Sequence, residues 1–425
     1  MHTIIHGDCL EELKKLEDNS VDAVITDPPY GLSNTKPAQV ADVLKAWVTG
    51  DTVSVPAKRG GFMGADWDSF VPPPAVWEEC MRVLKPGGHM AVFAGARTQD
   101  LMGLSIRLAG FEIRDTLGWV YGSGFPKSMD ISKAIDKAAG AERAVVAMKS
   151  NRGRKSASGW GMREDAGGDP ITAPATSDAA RWDGWGTALK PAIEPIILAR
   201  KPLDGTVANN VLAHGVGGLN IDACRVKGEP IEIHARTSNI TGANSMSGTS
   251  TGSTGTGEFR TDGRFPANVL LDEHAAKEMD KQSGVSTSIR APRSNGTDHR
   301  NRESYTPDSG SQEPRGHNDS GGASRFFPVF KYQAKAPKKE RPVLVREDGT
   351  KVQHATVKPL KLMEWLVTLI TPEGGTILDP FAGTGTTLQA ATNKGFRAIG
   401  IEADADYIQL IHRRLEGGEQ STLNS

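Results

Sequence analysis

Two short motifs carry the residue types able to do chemistry in this chain. Asp27-Pro28-Pro29-Tyr30 closes the apolar run Val21-Asp22-Ala23-Val24-Ile25-Thr26. Far along the chain, Asp379-Pro380-Phe381-Ala382-Gly383-Thr384-Gly385 closes a second apolar run and leads into Thr386-Thr387. The first combines a carboxylate, a restrained backbone carbonyl and an aromatic ring. These are the parts needed to hold a planar ring that bears an amine. An exocyclic ring amine is a poor nucleophile because its lone pair is delocalised. Two acceptors on that amine, the Asp27 carboxylate and the Pro28 carbonyl, localise the pair toward an electrophile, while Tyr30 stacks on the ring. A turn after a strand is the plain structural reading of the same four residues.

In the second motif, Gly383 and Gly385 permit close backbone approach to a ligand at the start of a helix. A phosphate loop would continue as Gly-Lys-Ser or Gly-Lys-Thr; here Gly385 is followed by Thr386-Thr387, which disfavours that reading. Glu402 ends the next strand, where a carboxylate can accept hydrogen bonds from both hydroxyls of a ribose. The pattern therefore suits a nucleoside-bearing cofactor.

These residues sit in an alternating strand and helix pattern. The N-terminal part reads as a strand at residues 3–5, a helix at 10–16 and a strand at 21–26. A loop at 31–74 is followed by a helix at 75–84, a Lys85-Pro86-Gly87-Gly88 break, a strand at 89–93 and a helix at 101–109. Further strands are expected at 112–121 and 195–200, with an insertion between them at 122–190 that carries a helical patch at 131–139. The insertion reads as a mobile loop over a site. Periodicity fades over 204–349, where Ser, Thr, Gly and Asn are frequent, and a second, loop-rich module is expected there. Regular pattern returns with a helix at 360–370 and strands at 376–378 and 397–401.

The chain has 425 residues, so one large α/β domain with insertions, or two domains, is expected, and its 48 Gly and 25 Pro point to long loops. Fifty basic and 51 acidic side chains leave a formal net charge of -1, which argues against a protein that coats nucleic acid through bulk charge alone. Any nucleic-acid face must be local. One candidate is the cluster Lys331, Lys335, Lys338, Lys339 and Arg341 beside Phe326, Phe327, Phe330 and Tyr332, although such a run also reads as a solvated face. The three cysteines, Cys9, Cys80 and Cys224, are widely spaced and suggest neither a metal site nor a disulfide framework. No leader or membrane-span pattern is visible, and a cytoplasmic location is expected.

Together the motifs closely resemble the S-adenosylmethionine-dependent DNA amino-methyltransferases, in the β class whose catalytic motif precedes the cofactor motif. The resemblance implies an α/β fold with a Rossmann-like seven-stranded sheet, circularly permuted, and loop-rich insertions forming a target-recognition region. Residues 1–121 would form the catalytic half and 122–190 an inserted loop over the DNA. Residues 191–203 would return a sheet strand, 204–349 would hold the target-recognition region, 350–418 the cofactor half and 419–425 a tail. It further implies that Asp27, Pro28, Pro29 and Tyr30 are catalytic. Asp8, in Gly7-Asp8-Cys9, would bond the cofactor's adenine amine, though those residues also read as a strand-end turn with a helix cap. His354-Ala355-Thr356-Val357-Lys358-Pro359 resembles the family's His-Pro-Thr-x-Lys-Pro motif, with Ala355 in place of proline. Thr356, Lys358 and Pro359 would cradle the methionine end. Asp379, Pro380, Phe381, Ala382, Gly383, Gly385, Thr386, Thr387 and Glu402 would complete the cofactor site together with Cys9.

DNA contacts are expected from Arg97, Phe125 and Lys127, besides Lys335, Lys338 and Lys339. Trp67-Asp68, Trp185-Gly186 and Arg325-Phe326-Phe327 are similar to segments of phage and prophage members. The implied activity is methylation of the N6 amine of a flipped adenine in double-stranded DNA. No metal is implied, and a homodimer is an expectation from the class. Members that methylate the cytosine N4 amine usually carry Ser at the position of Asp27, which favours adenine. Cytosine N4 methylation and a non-catalytic DNA-binding copy of the fold remain alternatives, as does an RNA substrate.

Overall fold

In the computed structural model the strand Val21–Thr26 is buried at every position, as a strand covered on both faces must be. The structure describes residues 2–33, 35–56, 68–122, 124, 128–148, 170–226, 231–234, 258–261, 263–288, 319–330, 342–346, 348–352 and 357–422. Among the described residues the main sheet has nine strands, labelled in chain order: β1 (His2–His6), β2 (Val21–Thr26), β3 (Leu84–Phe93), β4 (Glu112–Val120), β5 (Ile193–Arg200), β6 (Val269–Asp272), β7 (Val329–Phe330), β8 (Thr376–Asp379) and β9 (Arg397–Glu402). Their spatial order is β1-β9-β8-β2-β3-β5-β4-β6-β7. All neighbours are parallel except β5, which runs antiparallel to both β3 and β4.

This order puts the first strand of the chain beside the last one. His6 pairs with Glu402 in the β1–β9 register, and Leu378 pairs with Val24 across β8–β2. The carboxyl ends of β1, β2, β8 and β9 consequently meet at one sheet edge, the place where open α/β sheets bind ligands. Alternation along the strands feeds two cores. Ala23, Ile25, Ala91 and Phe93 pack toward the helices Leu360–Ile370 and Thr386–Asn393. Val24, Met90 and Val92 pack on the opposite face with Trp77 and Cys80 of the helix Pro74–Val83 and Met102 and Ile106 of Gln99–Leu108.

Four expectations need correction. The sheet has nine strands rather than seven, because β6 and β7 extend it beyond β4. Those two strands come from the 204–349 region, so its described part does not stand apart as a separate module. Val269–Asp272 was too short to read as a strand without its neighbour β4, which it meets at Val269–Gly118. The stretch 31–74 also contains a helix, Pro37–Val48, which buries Val43 and Trp47 and has proline at its first position. The glycine break before residue 89 is a bulge inside β3 rather than its start, with Gly87 at φ 77° and the register shifting between Val21 and Ala23.

Residues Ser123–Ala192 form a second compact unit. Beside the expected helix, Ile131–Ala138, it holds an antiparallel pair, Val145–Met148 with Pro170–Thr172, and a short helix, Ser177–Arg181. Fully buried Asp136 ties them together. Its carboxylate pairs with Arg143 at 2.5 Å and accepts the backbone N–H groups of Ala175 and Thr176.

Candidate active site

The catalytic motif turns out of β2 into a network of short polar contacts. The Tyr30 hydroxyl donates to Asp27 Oδ1 at 2.8 Å, and Lys358 Nζ donates to Asp27 Oδ2 at 2.7 Å and to Tyr30 Oη at 3.0 Å. Glu194, on β5, brings Oε2 to 3.3 Å from the same ammonium. The ammonium also lies 5.2 Å from the centre of the Tyr30 ring and 4.9 Å from that of Phe93, at the end of β3. Two carboxylates thus share one cation.

The protein environment sets the charge of these groups. Burial alone would depress the Lys358 pKa, but Asp27 and Glu194 hold it above the usual lysine value. Burial and the same two carboxylates raise the Tyr30 phenol well above its usual range, so its hydroxyl keeps its proton and serves Asp27 as a donor.

The loop after Asp27 is fixed by a residue outside the motif. Buried Asp68 accepts the backbone N–H groups of Tyr30 and Gly31 on one oxygen, at 2.7 and 3.0 Å, and Thr98 donates its hydroxyl to the Tyr30 carbonyl at 2.6 Å. Gly31 has φ 67°, and a Cβ there would meet the Val71 nitrogen at 2.8 Å. The chain can make this turn only with glycine.

On the cofactor side, Glu402 accepts the Gly383 N–H on Oε2 and the Asp404 N–H on Oε1, each at 2.8 Å. Desolvation nevertheless raises its pKa to about 7, the backbone donors offsetting only part of the effect. Asp379 is buried and is likewise raised by desolvation, to about 6, against hydrogen bonds from Thr26, Thr387 and the Phe381 N–H. Gly385 caps the helix Thr386–Asn393 at φ 77°. Arg414, from the last helix, donates to the Thr384 carbonyl at 2.6 Å and braces the loop from behind.

A cavity of about 540 Å³ joins the two halves. Among the expected site residues, Asp27, Pro29 and Lys358 line it together with Asp8, Cys9, Asp379, Pro380, Phe381, Ala382, Gly383, Thr386, Thr387 and Glu402. Pro28, Tyr30, Pro359 and Gly385 lie behind this surface: Pro359 caps the helix Leu360–Ile370, and Tyr30 acts on Asp27. Asp8 Oδ1 accepts the N–H groups of Leu10 and Glu11, so the cap reading of this residue holds alongside its place in the cavity. Cys9 is inert as a thiol, because burial and the neighbouring Asp8 push its pKa to about 12.

Lys358 lines the cavity, and its ammonium is also bound to the catalytic motif, a contact the sequence did not show. Arg97 is exposed in the turn after β3 and does not line the cavity. Phe125, Lys127, Lys335, Lys338, Lys339 and Thr356 lie outside the described residues. Sequence reasoning missed Glu194 and Arg414, and it missed Asp404 and Tyr407 as part of the cavity wall. Asp404 had a readable signal, an acid two residues past Glu402 at the start of a helix. Glu194 had none.

This arrangement, a carboxylate-bearing motif and a glycine loop with a buried acid on one cavity, coincides with a match along the sequence. The profile of the N6/N4 DNA methylase family fits residues 21–413. The chain belongs to the DNA methylase family. As a member it is an S-adenosylmethionine-dependent DNA methyltransferase that acts on an exocyclic base amine. This DNA methylase is 22% identical to Type II methyltransferase M.HindIII of Haemophilus influenzae, over 97% of this chain and 94% of that one. It is 34% identical to the DNA adenine methyltransferase YhdJ of Escherichia coli over 121 residues, 28% of this chain and 34% of the relative. Among solved structures, the PvuII DNA methyltransferase (cytosine-N4-specific) aligns with a TM-score of 0.42 at 12% identity, covering 97% of this chain and 86% of its own. The M1.HpyAVI–SAM complex aligns with a TM-score of 0.39 at 15% identity, covering 98% and 99%.

Proposed function

We propose that this DNA methyltransferase methylates the N6 amine of an adenine flipped out of double-stranded DNA. The observation that carries the reading is Asp27, a carboxylate held from both sides by Tyr30 and Lys358 on the wall of the cavity that also reaches Glu402. Resemblance supports adenine, since the cytosine-modifying members usually carry Ser at this position. So does the name of the relative YhdJ, a DNA adenine methyltransferase.

The residues present fit S-adenosylmethionine. Gly383, at positive φ on the cavity wall, permits close backbone approach, and Glu402 on the same wall would accept hydrogen bonds from ribose hydroxyls. Asp8 would take the adenine amine, and the 379–387 loop would hold the remainder with Lys358 and Pro359 near the methionine end. When bound, the cofactor supplies a methyl group made electrophilic by an adjacent sulfonium.

The chain's own residues then act on the base. Asp27 accepts one hydrogen of the target amine and the Pro28 carbonyl the other, which turns the nitrogen lone pair toward the methyl donor. Positive charge grows on that nitrogen during transfer, and the carboxylate stabilises it before the proton leaves. A strong base is unnecessary, because the proton becomes acidic only as the new bond forms. Flipping costs a few kcal/mol. A charge-assisted hydrogen bond to Asp27 contributes roughly 1.5 to 3 kcal/mol toward offsetting it. Exposed Arg97, in the turn after β3, would meet a phosphate of the bound DNA.

The test is to incubate unmethylated plasmid DNA with the protein and methyl-labelled S-adenosylmethionine, digest it to nucleosides and identify the labelled base by mass spectrometry. Label in N6-methyladenine is expected. Label confined to N4-methylcytosine would replace this reading with the cytosine alternative.

A further inference from the structure

We infer that Glu194 is a positioning residue for methyl transfer, which acts through Lys358 to keep Asp27 strong as an acceptor for the target amine. The inference rests on the reading of Asp27 as that acceptor and is independent of which base is modified. Glu194 Oε2 is buried and pairs with Lys358 Nζ at 3.3 Å, with no well-aligned hydrogen-bond donor among the described residues. A buried ion pair without aligned hydrogen bonds repays little of its own desolvation, so stability alone does not explain the presence of Glu194. Asp68 and Asp379, by comparison, have aligned donors.

The charge count explains the arrangement. If Lys358 faced Asp27 alone, one ammonium would cancel one carboxylate, and the acceptor would offer little to the positive charge that grows on the amine. With Glu194 on its other side, the ammonium is shared and the three groups together carry one formal negative charge. Lys358 can then orient Asp27 without neutralising it. The fold brings this about through the antiparallel strand β5. It lies next to β3, whose last residue, Phe93, turns its ring to the same ammonium.

The experiment measures single-turnover transfer of tritiated methyl groups from S-adenosylmethionine to plasmid DNA, counted without regard to base, together with cofactor affinity and melting temperature. Glu194→Gln is expected to slow transfer about tenfold, below the roughly 100-fold loss typical of removing a direct contact, with cofactor affinity and melting temperature unchanged. Glu194→Asp, which keeps the charge, should recover most of the rate. In a Lys358→Met background the Gln change should cost nothing further, because the cation it balances is gone. Full activity of Glu194→Gln would overturn the proposal. So would no recovery with Asp, or the same tenfold loss in the Lys358→Met background. Asp27→Ala is run alongside: retained turnover in that variant would refute the acceptor reading itself, while the coupling of Glu194 to Lys358 would still be read from the double variant.

Discussion

The ammonium of Lys358 lies 2.7 Å from Asp27 Oδ2, joining a residue just ahead of the helix Leu360–Ile370 to the loop after β2, 331 positions earlier in the chain. This contact ties the N-terminal catalytic motif to the C-terminal part of the chain. Lys358→Met would leave Asp27 and Glu194 facing each other with no cation between them. Because both Lys358 and Asp27 are largely buried, the loss should be about 3 kcal/mol of stability, and the transfer rate should fall about 100-fold. Urea unfolding and single-turnover kinetics measure the two effects separately.

Glu402 should make cofactor binding depend on pH. Its pKa in the folded protein is raised from 4.5 to about 7, so its contribution to apo-protein stability is present in full below about 4.5 and is lost as pH rises through 7. Ribose hydroxyls donate to the ionised carboxylate, so binding favours loss of this proton. Affinity for S-adenosylmethionine is expected to rise between pH 6 and pH 8, with proton release near pH 6.5. Glu402→Gln should remove both the release and the pH dependence. Calorimetry in two buffers of different ionisation enthalpy reads the proton count directly.

Much of this was legible in the sequence, for reasons particular to each residue. Asp27 and Glu402 each follow a continuous apolar strand, and a polar residue at such a strand end projects into the crevice where α/β sheets bind ligands. Local patterns of that kind can be read without knowing what lies beside them. Glu194 could not be found in this way, because it is the second residue of β5 and gains its meaning only from the antiparallel register that sets this strand beside β3. Lys358 was recognisable as a motif residue, but its partner was not, since a lysine side chain can reach several groups and the fold decides among them. The helix Pro37–Val48 was hidden by the proline and glycine around it. The strands β6 and β7, four and two residues long, carry too few residues to show a period.

Gly385→Ala is expected to weaken both fold and cofactor site. The residue sits at φ 77°, and an added Cβ would stand 3.0 Å from Ile411 Cγ2. The backbone strain is about 1 kcal/mol, and relaxing the contact would shift the loop that carries Gly383. A melting temperature lowered by several degrees, together with a cofactor dissociation constant raised severalfold, is the expected pair of results. Unchanged binding with a lowered melting temperature would limit Gly385 to a structural role.

Asp68→Ala should loosen the turn that presents Tyr30. It removes the acceptor of two backbone N–H groups in a site where Asp68 is only 3% exposed, at a cost of about 1 to 3 kcal/mol. The transfer rate should fall while cofactor affinity stays near that of the unmodified protein, because Asp68 holds the catalytic loop and not the 379–387 loop. Rapid-quench kinetics and calorimetry on the same preparation would show this split.

The most direct test of the central claim is single-turnover methyl transfer by Asp27→Ala, measured with its affinity for S-adenosylmethionine. The expected result is a transfer rate reduced by at least about 100-fold with cofactor affinity unchanged, as for a group that acts on the target amine alone. A variant that transfers methyl groups at the full rate would contradict the assignment of Asp27. A loss explained wholly by weakened cofactor binding would move Asp27 out of the catalytic step and into the cofactor site.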